Sequence, residues 1–75
     1  MLVTGIVIQT TPGQAGAVVA RLSAIPEIQI HGTDGESRIA AVWSGESATD
    51  FERFSDELLH AESDVLGVFP TYSAA

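Results

Sequence analysis

Apolar and polar residues in this chain alternate along four short stretches, and between those stretches they recur at the wider spacing of a helix. The first stretch, Leu2–Thr11, reads as a strand. Both of its alternating sets carry apolar groups, Leu2, Ile6 and Ile8 on one and Val3 and Val7 on the other, which predicts a place in the middle of a sheet. Gly5 inside it points either to close approach by another backbone or to a twist of the sheet. Thr11-Pro12-Gly13-Gln14 then reads as a capping box with proline at the first helical position. The helix it opens is predicted to run to about Ala24, with Ala15, Val18, Leu22 and Ile25 along one face and Val19 beside them, before Pro26 stops it.

Glu27–Gly32 alternates strictly, Ile28 and Ile30 one way and Glu27, Gln29 and His31 the other. Asp34-Gly35 between this strand and Ser37–Ser44 signals a hairpin. Ile39, Ala41 and Trp43 form one set of the third strand, and Arg38, Ala40, Val42 and Ser44 the other. A second helix is predicted from about Ser47, with Thr49 and Glu52 as a further capping pair and Phe51, Phe54 and Leu58 as its packing stripe. The fourth strand covers about Asp64–Tyr72. Pro70 confines it to a sheet edge, and Ser73-Ala74-Ala75 reads as a frayed tail.

The order β-α-β-β-α-β, with right-handed crossovers, predicts an α+β, ferredoxin-like fold: one antiparallel sheet in the order 4-1-3-2 with both helices on one face. The 75 residues suffice for a single domain, residues 1–75. Ile6, Ile8, Ile28, Ile30, Ile39 and Trp43 are expected to meet the helices. The other face is left uncovered, with Val3, Gly5, Val7 and Gln9 beside Ala40 and Val42, Gln29 and His31 at one edge, and Gly67, Phe69 and Thr71 from the fourth strand. Apolar at the centre and polar at the rim, it suits either a protein-binding patch or a sheet-to-sheet homodimer.

Composition narrows the chemistry. Ten acidic residues against three basic ones, all arginine, give a formal net charge of −7, which disfavours nucleic acid and favours a cationic partner. The absence of cysteine removes disulfides and thiolate chemistry. No run is long enough to span a membrane and the first strand begins at once, so a cytoplasmic protein is expected. His31 and His60 lack a neighbouring ligand set, so no metal or cofactor is expected. The serines have no His–Asp company, and no enzymatic role is expected. An acylphosphatase-like hydrolase would need an arginine in Thr11–Gln14, and there is none. An ACT-like ligand-binding or homodimerisation domain is the alternative, with Gly13 and Gly16 as its weak glycine-rich loop.

One resemblance sharpens this. GIVIQT before a proline-marked helix, LSAIPEIQIHG, the short hairpin and the closing VLGVFPTY with Tyr72 resemble the NapD family, over Leu2 to about Tyr72. The chain departs from the family pattern at Glu27, Pro70 and Ser73. The resemblance implies a chaperone of the periplasmic nitrate reductase. Such a protein binds the helical twin-arginine signal peptide of the catalytic subunit precursor and delays export until the molybdenum cofactor is inserted. Peptide-binding residues would then be Gly5, Val7, Gln9, Gln29, His31, Ala40, Val42 and Phe69 on the open face, with Glu27, Asp34 and Glu36 as carboxylates for the arginines. Arg38 would stand on the same face and oppose them.

Overall fold

Central strand β1 is Leu2–Thr10, followed by helix α1 (Ala15–Leu22), strands β2 (Ile28–Thr33) and β3 (Arg38–Gly45), helix α2 (Ala48–Ala61) and strand β4 (Val65–Ala74). These elements come from a computed structural model that describes residues 1–74. The four strands form one antiparallel sheet in the order β2-β3-β1-β4, the same order as 4-1-3-2, so the expected ferredoxin-like arrangement is the observed one. β1 and β3, the strands apolar on both sides, are the inner pair, while β2 and the Pro70-bearing β4 form the edges.

The core lies between the sheet and the helices. Ile6, Ile8, Ile39, Ala41 and Trp43 meet Ala15, Val18, Leu22 and Leu58 there, with Val19, Ile25, Phe51 and Phe54 packed around them. The Trp43 ring meets Phe51 edge-on at 5.3 Å and Phe54 at 6.1 Å. Its indole N–H has no hydrogen-bond partner among the described residues. Ile30, expected in this layer, packs against it and is half-buried, on edge strand β2.

The second helix starts at Ser47 as expected, but the capping at both helices differs from the sequence expectation. Thr11-Pro12-Gly13-Gln14 is a turn and not a capping box. Proline and a glycine at φ 84° occupy its central positions, and the Gln14 amide donates to the Thr11 carbonyl at 3.0 Å, the pattern of a type II turn. The amides of Gly13 and Ala15 donate to the Glu36 carbonyl at 3.0 and 3.2 Å, so the hairpin's backbone supplies the acceptor that a cap would have offered. At α2 the cap is Ser47, whose hydroxyl accepts from the Asp50 amide at 3.2 Å; Thr49 lies inside the helix.

The Asp34-Gly35 hairpin forms as expected, with Gly35 at φ 77°. Asp34 Oδ1 accepts from the amides of Glu36, Ser37 and Arg38 at 2.9, 3.0 and 3.1 Å. These amides, that of Glu36 foremost, hold the Asp34 carboxyl below the usual aspartate range. A depressed carboxyl stabilises the fold above its unfolded pKa, and that contribution disappears as pH falls through the folded value. Asp34→Ala is therefore expected to lower the melting temperature at neutral pH and to flatten its fall on acidification. Thermal melts across the acidic range check this, and an unchanged acid limb would remove Asp34 from the hairpin's stability.

The chain end also differs from expectation. Ser73 and Ala74 belong to β4, opposite Thr4 and Val3, and the hydroxyls of Ser73 and Thr4 share a 3.1 Å hydrogen bond. Ala75 lies outside the described residues. Arg21 on α1 pairs with Glu62 and, at 3.4 Å, with Asp64, tying α1 to the segment between α2 and β4.

Candidate peptide-binding site

The sheet face away from the helices is uncovered, and strand pairing fixes what it shows. Across it run the rows Ala74–Val3–Ser44, Tyr72–Gly5–Val42–Gln29, Phe69–Val7–Ala40–Gly32 and Gly67–Gln9–Arg38. Two shallow hollows lie along the β1–β3 seam. One is lined by Gly5, Val7, His31, Ala40, Val42 and Tyr72, and the other by Val7, Gly32, Thr33, Asp34, Arg38 and Ala40. Sharing Val7 and Ala40, they form one groove that runs along the strands and ends at the hairpin.

The groove's wall on the β4 side is aromatic. Phe69 is 52% and Tyr72 57% exposed, large values for rings in a strand. Each ring lies over a glycine. A Cβ at Gly67 would stand 2.7 Å from the Phe69 ring, and one at Gly5 would collide with Tyr72. Both glycines are buried as a result, although both belong to the open face. At Gly5 it is thus a side chain from the neighbouring strand, and not another backbone, that comes close.

Tyr72 reaches this position because β4 bulges. The pairing shifts between Gly5 and Ile6, where Tyr72 and then Pro70 face β1 and Thr71 is left as the extra residue. Tyr72 therefore takes the place opposite Gly5 that strict alternation gave to Thr71, which lines the groove beside it. Pro70 was the available signal, since proline inside a strand marks bulges as well as edges. A second shift, between Ile30 and Gly32, leaves His31 without a partner residue and brings it to the groove's other wall.

Gly5, Val7, His31, Ala40 and Val42 are thus gathered in one hollow, with Phe69 opposite Val7, Gln29 opposite Val42 and Gln9 opposite Arg38. The carboxylates are distributed differently. Asp34 reaches the groove's margin, but its Oδ1 is engaged by its own turn. A Glu36 carboxylate oxygen lies 4.0 Å from the Cβ position of Gly13, toward the β1–α1 turn. Glu27 precedes β2 and lines two hollows on the helical side with Phe54 and Glu57, one of them shared with Trp43, Glu46 and Asp50.

Among the described residues no group of three or more His, Asp or Glu is placed to hold a metal ion, and no helix is long and apolar enough to cross a membrane. What the face offers is apolar area with a polar rim, the make-up of a binding surface. The chain matches no curated protein and no solved structure in the comparisons made. A family model described as NapD protein matches residues 1–75, which is the whole chain. With that match the chain belongs to the NapD family, and its role is that of a nitrate reductase assembly chaperone.

Proposed function

We propose that the open sheet face binds the twin-arginine signal peptide of the nitrate reductase catalytic subunit precursor as a helix. Binding in the cytoplasm would withhold the precursor from export until its molybdenum cofactor is in place. The observation that carries this is the groove of Val7, Ala40 and Val42 between an aromatic wall and the His31 bulge, left open by both helices. An amphipathic helix lays its apolar side into such a groove. The net charge of −7 favours approach of a dicationic segment.

The test is a calorimetric titration with that signal peptide beside a copy whose two arginines are replaced by glutamine. Exposed ion pairs contribute about 0.2–1 kcal/mol each, so the replaced peptide is expected to bind up to about 30-fold more weakly. Equal affinity for the two peptides would leave the apolar groove and discard the charge contribution. Absence of binding to either, with a protein of doubled mass in sedimentation, would return the face to a sheet-to-sheet homodimer.

A further inference from the structure

The groove is poor in free carboxylates. Among the described residues only Asp34 brings one to either hollow, its Oδ1 already accepts three backbone amides, and Arg38 lines the same hollow. What the groove does present is an aromatic face. A Cβ at Gly5 would lie within 2.8 Å of three consecutive atoms on one side of the Tyr72 ring, Cδ1, Cε1 and Cζ. A point that close to all three stands over the face of a ring and not at its edge, so one face of Tyr72 rests on the Gly5 backbone. The side chain is nonetheless 57% exposed, which leaves the opposite face turned away from the sheet. Of the two rings in the wall, Tyr72 is the one that lines a hollow of the groove.

We infer that Tyr72 receives one arginine of the signal peptide, with the guanidinium stacked on the outward face of its ring. This rests on the signal-peptide reading and adds to it how an arginine is recognised. An aromatic ring is negative over its face, and a guanidinium, planar and weakly hydrated, stacks there with its N–H groups still free at the rim. With its other face packed on Gly5 the ring is oriented before the peptide arrives, so little side-chain freedom is lost on binding. The position agrees as well. Tyr72 stands in one row with Gly5 and Val42, next to the row of Val7 and Ala40. A helix whose apolar side lies on Val7, Ala40 and Val42 therefore brings a long side chain from its β4 flank directly over the ring.

A double-mutant cycle by calorimetric titration tests the stacking. Wild type and Tyr72→Leu are each titrated with a synthetic peptide of two adjacent arginines followed by an apolar helical segment, and with its copy carrying glutamine at both positions. Leucine keeps apolar contact and removes the ring face. Tyr72→Leu is expected to weaken the arginine peptide about two- to thirty-fold, the range of a cation on an aromatic face. The glutamine peptide is expected to hold its affinity to within about two-fold, which also shows that the variant is folded. Tyr72→Phe, which retains the face, is expected to keep the preference for arginine. Equal weakening of both peptides by Tyr72→Leu, no weakening of either, or loss of the preference in Tyr72→Phe overturns the stacking while leaving the signal-peptide reading in place. Binding of neither peptide by the wild-type protein overturns that reading and the stacking with it.

Discussion

Val7→Asp is expected to abolish peptide binding while the protein still melts cooperatively, and Ile6→Asp, one residue away, to leave no folded protein. The two side chains point to opposite faces of β1, as successive residues of a strand must. Ile6 is 2% exposed in the core, where an unpaired carboxylate costs several kcal/mol. A 75-residue domain has a total stability of roughly 4–11 kcal/mol, so that single change consumes most or all of it. Val7 is half-buried at the point shared by the two hollows, and an aspartate there stays hydrated in the free protein. Under a bound apolar helix it would lose that water without gaining a partner, a cost of a few kcal/mol and at least a hundredfold in affinity. Circular dichroism melts and the calorimetric titration, run on both variants, decide it. Unfolding by Val7→Asp with tolerance of Ile6→Asp would mean that the other face of the sheet is the open one.

Trp43→Ala is expected to cost about 3–5 kcal/mol, the usual range for emptying a large aromatic site, and so to bring the domain close to its folding limit. Trp43 is 2% exposed and joins β3 to both phenylalanines of α2, so its loss removes those two ring contacts between the helix and the sheet. Trp43→Phe should cost much less. The indole N–H has no partner among the described residues, so phenylalanine gives up ring volume and no hydrogen bond. Urea unfolding followed by circular dichroism separates the two. An alanine variant with the wild-type midpoint would show that α2 is held by something else.

The fold was legible in the sequence because its signals are local and agree with one another. β1 is apolar on both parities, Asp34-Gly35 turns the hairpin, and Pro26 and Pro70 fall beside or within the edge strands. What escaped was whatever a distant part of the chain supplies. Thr11 has the side chain for a cap, but the Glu36 carbonyl reaches the α1 amide first, and no local pattern records that meeting. Strand parity located Val7, Ala40 and Val42 on the groove and failed past a bulge, where Tyr72 displaced Thr71. It also failed for Glu27, which precedes the first residue of β2, so alternation did not govern it. The carboxylates proposed to meet the arginines were the least legible part. They sit in turns and strand ends, where direction is set by backbone hydrogen bonds such as those of Asp34.

The chain has one tryptophan and one tyrosine, and the sheet separates them. Trp43 is sealed on the helical side, while Tyr72 lies on Gly5 at the wall of the groove. The protein therefore carries two built-in optical reporters that answer different questions. Tryptophan emission follows the integrity of the core, and tyrosine absorbance or emission follows what rests on the open face. A ligand in the groove should change the second signal and leave the first still, so occupancy and unfolding are read separately in one unlabelled sample.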